Sequence, residues 1–274
     1  MIDAHHHFWQ YKQSEYPWMD DSLATLRRDY LPHHLKTEID AAGISGVVSV
    51  QARQILKETD FLLNLAAQHP FVRGVVGWVP LNDPGVGGIL EQYAANPRLK
   101  GVRHVLHDEA DDQYMLRADF GAGLGCLAPL GLRYDLLIFA RHLPISIQLV
   151  DRHPRQVFVL DHIAKPAIKK GQLEPWRTDL RNLARRPNVY CKLSGMVTEA
   201  DWTGWSEKSL QPYVDTVLEA FGPRRIMFGS DWPVCAVAGG YQRWFKALGC
   251  ITASLSADEQ EWIYERTATQ AYRL

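Results

Sequence analysis

Ile2-Asp3-Ala4-His5-His6-His7-Phe8-Trp9 at the start of the chain and Arg225-Ile226-Met227-Phe228-Gly229-Ser230-Asp231-Trp232-Pro233 near its end are short β-rich runs that finish in chemically capable groups. Side chains alternate along a strand, so Asp3, His5 and His7 are expected on one face and His6 on the other. Two imidazoles then converge at one strand end. That spacing suits two ligands of one metal ion, or two donors aimed at one carbonyl oxygen. Three consecutive histidines also occur in purification tags, but this run is short and lies inside a β-like segment. The second run delivers the Asp231 carboxylate at its exit, where an aspartate can also cap the next helix.

Between these two runs lie six more of the same kind, so the strands are expected at residues 2–7, 46–52, 72–79, 100–105, 134–139, 157–161, 189–193 and 226–229. Segments 59–68, 86–95, 143–152, 173–186 and 210–221 repeat apolar residues at helical spacing, and two further helices are expected from Tyr241 onward. Pro80, Pro166 and Pro233 stop strands and turn the chain. Strands alternating with helices predict a parallel sheet, and no GxGxxG or GxxxxGK[ST] loop follows any strand. The pattern therefore predicts an α/β chain with one domain over residues 1–274, a closed (β/α)8 barrel with extra C-terminal helices. Such barrels place their chemistry at the C-terminal ends of several strands, and closure makes the first and last strands neighbours.

Bulk composition agrees. The 274 residues are 46% hydrophobic with no linker or low-complexity tract, enough for one large core. Thirty basic against 31 acidic residues, evenly scattered, provide no field for nucleic acid or an anionic membrane. Neither a leader-like N-terminus nor a membrane-length apolar run is present, so a cytoplasmic protein is expected. Cys126, Cys191, Cys235 and Cys250 form no CxxC pair and are expected as buried free thiols. The oligomeric state is not legible.

The chain resembles the amidohydrolase superfamily, in the branch called the amidohydrolase-2 family, with its sugar-lactone and pyrone-dicarboxylate lactonases. The resemblance spans nearly the whole chain. It rests on Asp3, His5 and His7, on Gly101-Val102-Arg103-His104, Leu160-Asp161-His162 and Lys192-Leu193-Ser194-Gly195, and on Gly229-Ser230-Asp231-Trp232-Pro233. The opening octapeptide and Tyr30-Leu31-Pro32 are most similar to L-fuconolactone and L-rhamnonolactone hydrolases. The resemblance implies ring opening of an aldonolactone by water in sugar catabolism, with a small-molecule sugar lactone as partner. The chain departs from the wider superfamily in having Arg103 and His104 where many members carry a bridging lysine or glutamate. The run Tyr134-Asp135-Leu136-Leu137 also lacks the usual histidine. Two missing ligands argue against a binuclear centre and leave either no required cofactor or a single Zn²⁺. His5, His7 and Asp231 would hold that ion, with His162 as a further ligand.

Lactone opening needs a polarised carbonyl, a deprotonated water and a proton for the leaving ring oxygen. Asp231 is assigned the water proton and its return, with His162 and Arg103 as its catalytic companions at strand ends. The alternatives for these two are a structural histidine and a salt-bridge partner. Trp9, Gln51, His104, Asp108, Lys165 and Trp232 are candidate substrate contacts, each open to a bland reading as packing or a solvated loop residue. Trp18 could offer an apolar face but is adjacent to neither motif. His33, His34, His69, His142 and His153 are expected at the surface. Two rival functions stand beside the lactonase: a zinc-dependent decarboxylase of a small aromatic or unsaturated acid, and a non-catalytic binding barrel.

Overall fold

Runs of β-branched and apolar residues form eight parallel strands: β1 (Ile2–His6), β2 (Gly46–Val50), β3 (Val72–Gly77), β4 (Leu99–Val105), β5 (Arg133–Leu137), β6 (Phe158–Leu160), β7 (Val189–Leu193) and β8 (Ile226–Phe228). In the computed structural model, which describes residues 1–274, they pair in sequence order. A parallel bridge between His6 and Trp232 closes the ring. The fold is the expected (β/α)8 barrel, each strand end lying within about two residues of its expected position.

The helices are α1 (Pro32–Ala41), α2 (Leu56–Gln68), α3 (Val86–Ala94), α4 (Ala118–Gly125), α5 (Leu143–Arg152), α6 (Trp176–Ala184), α7 (Glu207–Phe221), α8 (Gly240–Ile251), α9 (Ala257–Glu261) and α10 (Thr267–Tyr272). A π-turn, Trp262–Arg266, joins α9 to α10, so the tail is the two helical stretches expected of it. The sequence pattern did not single out α1 or α4. In α4 three glycines among eight residues dilute the apolar signal, and packing of Phe120 and Leu124 overrides weak propensity. No helix is long and apolar enough to cross a membrane.

Two cores hold the barrel. The larger lies between strands and helices. The smaller fills the barrel with Ile2, Ala4, Val48, Val50, Val76, Val159 and Met227, and Ala268, Ala271 and Tyr272 of α10 plug it. Strict alternation fails in β1. Asp3 pairs with Val47 and His6 with Ser49, so β1 carries an extra residue, a bulge that lets Ala4 and His5 both face inward. Asp3 therefore does not share the face of His5 and His7 as expected. It turns outward, accepting from the amides of His5 (3.1 Å) and Ser230 (2.9 Å). Cys191 and Cys235 are buried free thiols as expected, whereas Cys250 is exposed and Cys126 half-buried.

Candidate active site

The seam between β1 and the segment after β8 builds the site. The Asp231 amide donates to His5 O at 2.8 Å and the His7 amide to Trp232 O at 2.7 Å. Close approach at this seam requires glycine at 229: a Cβ there would lie 2.8 Å from His5 Cβ and 2.9 Å from Ser194 Cβ. Asp231 itself has φ +56°, a left-handed conformation that Asp tolerates better than most residues and that aims its carboxylate at the imidazoles. The Oδ1 atom lies 3.7, 3.5 and 3.9 Å from the Nε2 atoms of His5, His7 and His162.

Four consecutive residues after β6, His162 to Lys165, have φ between 49° and 63°. Left-handed backbone is costly for a β-branched residue such as Ile163, so the surrounding packing must hold this turn. It swings the His162 ring over Gly195, itself at φ +59°, where a Cβ would fall 2.4 Å from His162 Nδ1. Ser194 Oγ, 2.9 Å from the same nitrogen, fixes the ring's rotation.

Hydrogen bonds orient the other two rings. His7 Nδ1 lies 2.8 Å from Val50 O, and a carbonyl can only accept, so Nδ1 carries the proton and Nε2 presents its lone pair. His5 Nδ1 faces Asp161 Oδ1 at 3.3 Å and Lys192 Nζ at 3.2 Å, leaving Nε2 directed at His7 Nε2, 3.2 Å away. Burial is the main force on these rings. It holds His5 well below the usual imidazole range and brings His162 down to about 4, against the opposing pull of Asp161 and, for His162, Asp231. Both are neutral near pH 7, as metal ligation requires.

Beneath them lies a buried charge layer that the sequence reading did not single out. Lys192, fully buried, sits 2.5 Å from Asp135 Oδ2 and 3.0 Å from Asp161 Oδ1. Tyr272 donates to Asp135 at 2.7 Å. Arg103 Nη1 donates to Asp161 Oδ2 at 3.0 Å. Burial would raise both carboxyls. In Asp161 the neighbouring Lys192, His5 and Arg103 reverse that and hold it well below the usual range, whereas Asp135 is left at about 6. The signal available in the sequence was the strand period, since Asp135 and Lys192 stand at inward positions of β5 and β7.

Above the imidazoles opens a cavity of about 260 Å³, bordered by His7, Trp9, Trp18, Arg103, His107, Asp108, His162, Lys165 and Asp231. The expected residues Trp9, Asp108 and Lys165 are there, Lys165 paired with Glu199 at 3.0 Å. Arg103 borders it too, but its Nη2 donates to Gln51 O at 2.5 Å and Gln51 Oε1 at 3.1 Å, so the fork is largely occupied by protein.

Three expected contacts are elsewhere. Gln51 is buried as the clamp on Arg103. His104, on the outward face of β4, stacks on Tyr114 at 5.2 Å and bonds Glu109 at 2.6 Å. Trp232 packs against Phe8 and Tyr30 inside the protein. In their place stand Trp18 and His107, brought in by loops whose course the sequence does not disclose. His142, expected at the surface, is fully buried and bonded to Asp112 at 2.7 Å.

The donor set fits a metal ion. Ligand atoms of His5, His162 and Asp231 lie within 4.8 Å of one another, and His7 Nε2 borders this set without belonging to it. Burial also tends to raise Asp231, but the neighbouring His162, His7 and Lys165 hold it below the ordinary carboxylate range. It is an ionised acceptor beside neutral nitrogens, on the floor of a pocket sized for a small molecule.

Comparison with known proteins gives the arrangement relatives along its whole length. An L-fucono-1,5-lactonase of Burkholderia multivorans is 39% identical, the match covering 100% of this chain and 96% of that one. One of Burkholderia ambifaria is 34% identical, with 100% and 95% covered. The crystal structure of an amidohydrolase from Burkholderia multivorans with bound zinc superposes with a TM-score of 0.96 at 40% identity, covering 100% of this chain and 99% of that one. The amidohydrolase family model matches residues 2–274, and with Asp231 and the inward histidines meeting at the closing seam of the barrel, the chain belongs to the amidohydrolase family.

Proposed function

We propose that this chain opens the ring ester of a sugar-acid lactone with water, and that L-fucono-1,5-lactone, the substrate named for its Burkholderia relatives, is among its substrates. The observation that carries the proposal is the meeting of one ionised carboxylate with three imidazoles at the base of a single small cavity, which Asp231, His7 and His162 line and His5 underlies.

Asp231 accepts the proton of the attacking water and returns it to the ring oxygen as the ester bond breaks, so one group serves as base and then acid. Its low proton affinity makes it a weak base toward bulk water. A Zn²⁺ held by His5, His162 and Asp231, with His7 at its edge, would acidify that water and polarise the ester carbonyl. Arg103 steadies the floor through Asp161, and its positive charge at the cavity wall favours the negative charge that develops on the carbonyl oxygen. Lys165 and Asp108 at the rim are assigned to the sugar hydroxyls, and Trp9 and Trp18 to the apolar face of the ring.

The test is acid release followed with a pH indicator. Fucono-, rhamnono-, galactono- and arabinono-lactones, with small aromatic acids as decarboxylase controls, are assayed with and without chelator. Turnover that follows one sugar configuration supports the reading. Activity on the aromatic acids alone would favour the decarboxylase, and no activity on any of them a binding barrel.

A further inference from the structure

The reaction cavity does not end at its rim. A groove of about 400 Å³ adjoins it, and the two share Trp18, Ala52, Val105 and Asp108 as a common wall. Small-molecule sites run from about 300 to 1,000 Å³, so the 260 Å³ reaction cavity suits one sugar ring and the groove is space beyond it.

The groove is built rather than incidental. Trp18 and Ile55, each 40% exposed, are the exposed large apolar side chains of the molecule, and both line it. The Trp18 ring stands edge-on to Trp9 at 6.0 Å, and Trp9 is anchored by Nε1 donating to Arg28 O at 2.9 Å. Trp18 is thereby held against Trp9 while its ring stays partly exposed to the groove. Across the groove, Arg53 is fixed by Glu58 at 2.8 Å and by Glu15, with its guanidinium over the Tyr16 ring. An indole face beside rigid, hydrogen-bonding charges matches a pyranose, which has an apolar C–H face and a rim of hydroxyls.

We infer that this groove is a second saccharide subsite, so that the enzyme binds sugar-acid lactones carrying a further glycosyl group. The inference rests on the lactonase reading for what fills the inner cavity, and its test is a binding measurement that needs no turnover.

Calorimetric titration compares the open-chain 6-deoxy-galactonic acid with the same acid carrying one glycosyl group at each hydroxyl in turn. At least one glycosylated acid should bind tenfold or more tighter than the plain acid. Ile55→Ser and Trp18→Ala should each return it to within about twofold of the plain acid. Ile55 precedes α2, where serine is a favourable helix cap, so that variant folds, and it should hydrolyse the plain lactone as the wild type does. If no glycosylated acid binds tighter, or the gain survives both substitutions, the subsite does not exist. Failure of the wild type to hydrolyse any lactone would instead sink the catalytic reading, while the binding comparison still decides the groove.

Discussion

The Asp231 amide donates to the His5 carbonyl at 2.8 Å, joining residues 226 positions apart. This backbone bond sets the carboxylate against the imidazoles whatever their side chains do, because it belongs to the closure of the barrel. The site's geometry thus follows from the fold's own seam.

Replacing Asp231 by Asn keeps a residue that tolerates φ +56° but removes the proton acceptor. Lactone turnover should fall about 10²–10⁴-fold, the usual span for a general base, with an unchanged near-ultraviolet circular dichroism spectrum. Near-normal kcat in a folded Asp231→Asn variant would remove this residue from the chemistry.

Gly195→Ala should displace His162 without touching it covalently. The new Cβ would fall 2.4 Å from His162 Nδ1, on a backbone at φ +59°. Left-handed backbone alone costs an alanine about 1–2 kcal/mol. A lowered melting temperature together with at least a tenfold loss of kcat is expected; destabilisation with kcat intact would mean that His162 tolerates displacement.

Lys192→Met leaves Asp135 with Tyr272 as its remaining partner in the barrel. Breaking such a buried pair costs about 3–5 kcal/mol. Adding Asp135→Asn should recover 1 kcal/mol or more, since contacting residues couple by about 0.5–3 kcal/mol. Urea unfolding of the two single variants and the double variant measures this, and strictly additive losses would contradict the pairing.

Metal-free protein should lose stability as pH falls below about 6.5. His5 and His6 are held well below 6.5, His162 is at about 4 and His107 at about 2, in each case chiefly by burial. The unfolded chain takes up these protons first, so each ring costs up to about 1.4 kcal/mol per pH unit below 6.5. Asp3 and Asp135, raised to about 6 by burial, act oppositely, since the folded state takes up their protons first between about 6 and 3.8. The rings outweigh these two carboxyls, so the net loss begins near 6.5 and continues to about 5. Urea midpoints at pH 7.5, 6.2 and 5.2 would show this, and a flat profile would refute it.

Zinc added to chelator-treated protein should bind at one site and raise the melting temperature through mass action. His162→Asn and His5→Ala should each weaken that binding at least tenfold, as read by titration calorimetry. Undiminished affinity in both variants would place the ion elsewhere.

The chain's own pattern determined the number and order of the strands and placed His5, His7, His162 and Asp231 at strand ends, because strand periods are short-range rules and eight alternating strand–helix units imply a closed barrel that brings those ends together. Even the assignment of His5 and His7 to one face held, although for a different reason: a bulge in β1 rotates Asp3 away while keeping both rings inward. Tertiary structure alone decided which polar residues do which work. Gln51 and His104 looked like contacts by their place near strand ends and Trp232 by its nearness to Asp231, yet one clamps Arg103 and two pack away from the cavity. Trp18 and His107 reach the cavity on loops held by partners outside their own stretches, the Trp9 ring for Trp18 and the Phe139 ring for His107. The Lys192, Asp135 and Asp161 layer needed the closed barrel to bring β5, β6 and β7 within bonding distance, since a buried charge survives only beside partners that no local stretch of sequence contains.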